Sequence, residues 1–176
     1  IAVSPVHLAA AYSSLVNGGY KVSPTLVLKE KKAIEDAVKK PKIQVIKNVT
    51  SIMVRSLLNK VVINGSAKDS NFGGYSVGGK TGTAEKPDPV KGGYYENKVI
   101  STFASVFPAS NPKYSLVVML DEPKTNSEYV YNYRDGSGIK YKGTPFNTAG
   151  WTSVEVVGQI IEKIGPILAT KYNEIN

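Results

Sequence analysis

The residues with the types and spacing to do chemistry are concentrated in GGYSVGGKTGTAEK, from Gly73 to Lys86. The centre of this stretch is Lys80-Thr81-Gly82-Thr83, preceded by Gly78 and Gly79. At the two-residue period of a strand, Tyr75, Val77, Gly79, Thr81, Thr83 and Glu85 share one face. Ser76, Gly78, Lys80, Gly82, Ala84 and Lys86 share the other. Two hydroxyls therefore point one way. Gly82 has no side chain, so a second backbone can approach the strand there. This combination suits an extended peptide with an anionic end, bound as an added strand. A glycine-rich edge strand with a solvated lysine is the plainer reading of the same residues.

A rival chemistry is written in the same letters. Gly74 to Thr81 matches G-x-x-x-x-G-K-[ST], and Leu116 to Glu122, LVVMLDE, has the look of a strand ending in metal-binding carboxylates. A phosphate-cradling loop needs an apolar strand before it and a helix after it. Upstream, Ser66 to Gly73 is polar and turn-like. Downstream, Gly82, Pro87 and Pro89 oppose a helix. Both flanks fail, so nucleotide binding is the weaker alternative.

The 176 residues are enough for one domain with a core of its own. No apolar run reaches the length of a membrane span, and Ile1 neither initiates translation nor opens a signal peptide, so a fragment or processed chain is expected. With no cysteine, thiolate metal sites and disulfides are excluded, and the single histidine argues against histidine-rich metal sites and a histidine-based triad. His7 reads as a solvated first-turn helix residue. The net charge is +8. The lysines are spread, however, and their densest run, Lys29 to Lys42, also holds Glu30, Glu35 and Asp36. That run reads as a solvated, partly helical insertion, and no pattern for nucleic acid emerges.

The elements that must position the central stretch follow from periodicity. Ser4-Pro5 caps and opens a helix with Leu8, Ala11, Tyr12, Leu15 and Val16 on one stripe, stopped by Asn17-Gly18-Gly19. Short strands are expected at Tyr20–Leu28 and Ile43–Ile46. Thr50 to Val62 reads as a helix with Met53, Leu57, Leu58, Val61 and Val62 apolar, ended by Asn64-Gly65. The central strand runs from about Tyr75 to Lys86. A loop to Glu96 follows, then strands Val99–Phe107 and Tyr114–Leu120 around the turn Pro108–Pro112. Three strands with short links predict an antiparallel meander, and the apolar third strand predicts burial on both faces. Glu122 to Gly150 is a long polar loop. A capping box, Thr152 to Glu155, opens a final helix striped by Val154, Val157, Ile160, Ile161 and Ile164, with a kink at Gly165-Pro166. The order predicts an α+β fold.

KTGT on an edge strand, followed by two strands and a capped helix, resembles the C-terminal part of the transpeptidase domain of penicillin-binding proteins. Ser4 to Gly19, SPVHLAAAYSSLVNGG, is similar to a helix of that family ending in NGG. GGKTGTAEK, GGYYENKVISTFASVFPASNP and YSLVVMLDEPK resemble its class B, monofunctional members. Asn147 to Leu168 resembles the tail of the septal, cell-division transpeptidase of Gram-negative bacteria. The likeness covers nearly the whole chain apart from the lysine-rich insertion. Residues 1–176 would then be the C-terminal portion of one domain, a partial β-lactamase/transpeptidase-like fold with about three of the family's five strands.

The family's motifs are S-x-x-K, S-x-N and K-T-G in chain order. Here S-x-N is missing, and S-x-x-K occurs only after the KTG, at Ser110–Lys113 in a proline turn and at Ser137–Lys140 in a glycine loop. A nucleophilic serine must open a helix so that its lysine, one turn on, can reach it. Neither string can do so, and the nucleophile and its base are expected elsewhere. The resemblance implies that Lys80 holds the substrate carboxylate and supports the proton relay. It implies that Thr81 and Thr83 bind the terminal D-Ala carboxylate or its β-lactam mimic, that the Thr83 N–H is half of an oxyanion hole, and that Gly82 keeps the strand open. It implies peptidoglycan cross-linking through an acyl-serine, no cofactor and no metal. It further implies divisome partners and a periplasmic location at the inner membrane, tethered by an N-terminal transmembrane helix. A non-catalytic β-lactamase-like binding module is the alternative. Finally, the strand Tyr114–Leu120 is expected at an unpaired edge through which the chain self-associates, with a lysine at Val118 blunting it.

Overall fold

The structure, a computed structural model, describes residues 3–27, 30, 32–33, 36, 41–70, 75–124, 126–132, 137–143 and 146–175. Most of the lysine-rich insertion lies outside these residues, as do Gly73 and Gly74 of the central stretch.

Helix α1 is Pro5–Val16. The Ser4 hydroxyl accepts the His7 N–H at 3.4 Å and Pro5 occupies the first turn, where a missing N–H costs nothing. His7 is exposed, its ring nitrogen 2.8 Å from the Ser4 hydroxyl. Tyr12, Leu15 and Val16 face the core, whereas Ala11, expected on the same stripe, is exposed. The two short strands reduce to a single bridge, Tyr20 to Gln44, flanked by Lys21 N–H to Ile43 O and Val45 N–H to Gly19 O, each 2.8 Å. Beyond it Pro24 offers no donor and Leu26 is 97% exposed, so nothing holds the segment in a ladder.

Helix α2 is Asn48–Asn64. Its inward face is Ser51, Leu58 and Val62, while the apolar Met53 and Leu57 are each 62% exposed. The sheet is the expected antiparallel meander, β1 (Gly78–Pro87), β2 (Tyr94–Phe107) and β3 (Tyr114–Asp121), in spatial order β1-β2-β3. Strand β2 starts earlier than expected, at Tyr94. The connecting loop is tight: Asp88 accepts the Val90 and Lys91 N–H groups, and Gly92 and Gly93 both take φ of +74°. Lys80 and Thr81 sit in mid-strand, opposite Ala104 and Phe103, and not at a helix N-terminus. The geometry of a phosphate-cradling loop is therefore absent from these residues.

Within Glu122 to Gly150 the described residues form a small hairpin, β4 (Val130–Asn132) with β5 (Lys140–Lys142). A 3₁₀ turn, Ala149–Trp151, leads into α3, Ser153–Ile175, which runs unbroken through Gly165-Pro166. The capping box does not form. The Thr152 hydroxyl instead bonds Thr148 O at 2.9 Å and Ser101 Oγ at 2.7 Å, and Glu155 accepts from the Tyr129 hydroxyl.

Two clusters sandwich the sheet. On one face Val77, Phe103 and Phe107 pack with Val62, Ala67 and, from α3, Val154, Val157 and Ile161. On the other, Val106 packs with Val16 and Leu58 of α1 and α2. Strand β3 lies between them but is half-buried, not buried on both faces as expected. Tyr114, Leu116 and Val118 face α3, Ser115 bonds the Ser13 hydroxyl of α1 at 2.9 Å, and Met119 is 42% exposed. Among the described residues no strand pairs with its outer edge.

Two expectations follow. A Cβ at residue 79 would lie 2.5 Å from the Phe103 ring, whereas one at residue 82 meets only Thr102 O at 4.0 Å. Gly79→Ala is therefore expected to cost ~1–3 kcal/mol by overpacking, and Gly82→Ala far less; urea unfolding of both variants checks this. The open β3 edge predicts concentration-dependent self-association in sedimentation. The fitting control is Met119→Lys, because a lysine at Val118 would point into the core and unfold the chain for another reason. A monomer at all concentrations would show the edge to be covered.

Candidate functional site

Strand β1 is an edge strand, so the backbone on its outer side is available to a ligand. Along it the side chains divide as the alternation predicts. Val77 and Gly79 point to the α3 side, where Gly79 lets the Phe103 ring come up against the backbone. Gly78 points to the α2 side, where a Cβ would lie 3.2 Å from Leu58 and Asn59. These two glycines are thus explained by packing. Gly82 is not: around it the space is open.

Lys80 is exposed and its ammonium donates to Thr81 O at 2.7 Å, curling along its own strand. Thr81 and Thr83 lie on the opposite side of the strand. The Thr81 hydroxyl is 3.0 Å from that of Ser66, in the segment leaving α2. Thr83 Oγ1 accepts the Ala149 N–H at 3.0 Å, from the 3₁₀ turn before α3. The structure thus brings Thr81 and Thr83 together on one face and leaves Lys80 on the other. Beyond Thr83 the strand borders an open groove of about 760 Å³, walled by Ala84, Glu85, Tyr94, Asn97 and Thr148.

Three features of this neighbourhood were not found from the sequence. Ser66 and Ala149 are brought to Thr81 and Thr83 across 15 and 66 residues, and no local pattern announces such contacts. The β4–β5 hairpin carries an aromatic stack, Tyr129–Tyr131–Tyr141, with Tyr131 edge-on to Trp151 at 5.4 Å. Its tyrosines were visible as loop composition only. Lys86, last residue of the central stretch, reaches past β2 to the end of β3, 2.9 Å from Asp121 and 2.7 Å from Glu122, with Lys98 3.9 Å from Glu122.

Neither S-x-x-K string is helical. Ser110 lies in the turn between β2 and β3, and Ser137 in a bend before β5 whose hydroxyl accepts the Ile139 N–H. Among the described residues no group of three or more His, Cys, Asp or Glu is placed to hold a metal ion. No described helix is long and apolar enough to cross a membrane.

The profile of the penicillin-binding protein transpeptidase domain matches residues 1–137. The chain belongs to this family. It is 32% identical over 176 residues to the probable peptidoglycan D,D-transpeptidase FtsI of Caulobacter vibrioides, spanning 96% of this chain and 27% of that protein. It is 38% identical over 136 residues to stage V sporulation protein D of Bacillus subtilis, 73% of this chain and 20% of that one. Among solved structures it resembles the transpeptidase domain of penicillin-binding protein 3 from Burkholderia pseudomallei, with a TM-score of 0.68 and 25% identity over 94% of this chain and 43% of that chain. The chain thus spans about a quarter of the curated relative's length. The α+β fold with a three-stranded antiparallel sheet is that of a partial transpeptidase domain. The helix α3, beyond the profile match, is included in the structural likeness.

The charged cluster has a measurable consequence. The hydrogen bond from Lys86, with the charges of Lys86 and Lys98, holds the Glu122 carboxyl below the usual range against its partial desolvation. The bonds to Glu122 and Asp121 raise Lys86 in turn. Glu122 therefore stabilises the fold at pH above its unfolded pKa of about 4.3, and that contribution is lost as pH falls through the lower folded value. Thermal unfolding from neutral pH into acid should show a steep loss in the parent and a shallower one in Glu122→Gln. Asp88, also held low by two backbone N–H groups, remains in both, so the difference isolates Glu122.

Proposed function

We propose that this chain carries the substrate-binding strand of a peptidoglycan D,D-transpeptidase, and that its serine nucleophile is supplied from outside residues 1–176. The observation that carries the reading is KTGT on an open edge strand, with two hydroxyls on one side, a lysine on the other and no side chain at residue 82. An extended D-Ala-D-Ala stem peptide lies along β1, its carboxylate at Thr81 and Thr83. The serine oxygen attacks the penultimate carbonyl, the new oxyanion is received by the Thr83 N–H and the serine's own N–H, and terminal D-Ala leaves. An amine of a neighbouring stem then displaces the serine, forming the cross-link. Lys80, whose long side chain now rests on Thr81 O, supports the carboxylate and the proton relay through a second serine. A β-lactam takes the same place.

The likeness to FtsI of Caulobacter vibrioides and the tail Asn147–Leu168 favour the division branch, with divisome partners and a tethered, periplasmic parent. The domain assignment for residues 1–176 rests on the same likeness. A non-catalytic binding module differs in having no acylated serine anywhere on the full-length protein.

Two outcomes check this reading. Incubated alone with fluorescent penicillin, the chain should take up no covalent label, because neither Ser110 nor Ser137 opens a helix that would bring a lysine to it. An adduct on either serine overturns this. In the full-length protein Lys80→Ala should slow acylation without lowering the melting temperature, since its one bond is to an exposed carbonyl. Thr83→Val is expected to slow acylation too. It also deprives the Ala149 N–H of its acceptor, so it should cost ~1–3 kcal/mol of stability as well. Parental acylation rates in both would refute the site.

A further inference from the structure

We infer that Thr152, anchored by Ser101, is a positioning residue for the Thr83 hydroxyl of the substrate strand; this rests on the carboxylate reading of Thr81 and Thr83. The sense of each hydrogen bond in this corner is fixed. Thr152 Oγ1 lies 2.9 Å from Thr148 O and 2.7 Å from Ser101 Oγ. A carbonyl oxygen only accepts, so the one Thr152 proton goes to Thr148 O. Ser101 then donates to Thr152. Ser101 is fully buried, and this is the one hydrogen bond of its hydroxyl among the described residues. The Ala149 N–H is equally constrained. Ala149 is 1% exposed, so its N–H is cut off from water and needs an acceptor, which is Thr83 Oγ1 at 3.0 Å. That bond takes one lone pair of Thr83. Among the described residues nothing accepts the Thr83 proton, which is left for an incoming anion.

These bonds close a ring. Thr83 and Ser101 are directly opposite on β1 and β2, and cross-strand neighbours share a face with Cβ atoms about 4.5–5.5 Å apart. The 3₁₀ turn rests on both, with the Ala149 N–H on the first and Thr152 Oγ1 on the second. Thr148 O accepts the Trp151 N–H at 3.0 Å as well as the Thr152 hydroxyl, so the turn between the two contacts is short and closed. The seat of Thr152 on β2 therefore decides where the Ala149 N–H meets Thr83. With one lone pair held, the Thr83 O–H is confined to a restricted arc. A carboxylate then meets a donor that is already aimed and does not have to be ordered on binding. A valine at residue 152 keeps the shape of the side chain but removes the anchor and leaves the Ser101 proton without an acceptor.

The test is acylation of the full-length protein by benzylpenicillin and by its methyl ester, with initial binding and acylation separated. The ester lacks the anion, so a Thr83 proton aimed at a carboxylate does not serve it. Thr152→Val should weaken initial binding of the acid about 10-fold, the scale of one hydrogen bond to a charged group, and leave the reaction with the ester unchanged. Thr152→Ser, which keeps the hydroxyl, should match the parent with both. Thr152→Val also leaves a buried donor unpaired and should lower the melting temperature. Adding Ser101→Ala removes that donor and should bring the melting temperature back, while binding of the acid stays weak. In a Thr83→Val background Thr152→Val should cost no further affinity. Weak binding in Thr83→Val with parental affinity in Thr152→Val overturns the role of Thr152 alone. So do equal losses with acid and ester, or binding that returns together with the melting temperature in the double variant. Thr83→Val at the parental affinity for the acid overturns the carboxylate reading, and the inference with it.

Discussion

Phe103 occupies the space that a side chain at residue 79 would need, and the site depends on that contact. Because Gly79 yields, β1 lies close over the aromatic core made by Phe103, Val77 and the inward face of α3. Close packing of this kind transmits small displacements instead of absorbing them. Lys80 to Thr83 follow directly in the strand, so their backbone is set by a buried ring one residue earlier. Gly78 makes the same concession to α2 on the opposite face. The paired glycines thus clamp the strand between two layers, and the chemistry-bearing residues begin where the clamp ends.

Strand β2 is the frame for this. It pairs with β1 from Gly78 to Pro87 and with β3 from Ile100 to Phe107, so both neighbours are referred to one ladder. The end of the frame is tied electrostatically, where Lys86 of β1 reaches Asp121 at the end of β3 and Glu122 just after it. The tie is partly solvated. It is a pH-dependent fastening added to a fold whose stability comes from apolar contact.

Some of the apolar side chains left in solvent share one side of the sheet. Met53 and Leu57 on α2, Val6 on α1 and Met119 on β3 are exposed. They lie on the α1–α2 side of the sheet, away from α3. The chain corresponds to 43% of the solved Burkholderia transpeptidase chain. A sheet covered by a well-matched helix on one face and by two incompletely covered helices on the other fits that correspondence.

What the sequence determined by itself was local. Ser4-Pro5 opened a helix, Asn17-Gly-Gly closed it, turn residues separated three strands, and alternation divided Lys80 from Thr81 and Thr83. Each is a matter of backbone sterics or of a two- or four-residue period, and each was found in place. The capping box at Thr152 failed because Ser101, distant in sequence, offered that hydroxyl a partner. Met53 and Leu57 are apolar but exposed, because an apolar stripe does not say which part of it meets another element. The short strands at Tyr20 and Ile43 shrank to one bridge because a ladder needs a neighbour as well as propensity. Ser66 and Ala149 could not have been named from the sequence at all. Their bonds to Thr81 and Thr83 exist only because the fold returns the end of α2 and the start of α3 to the same face of one strand.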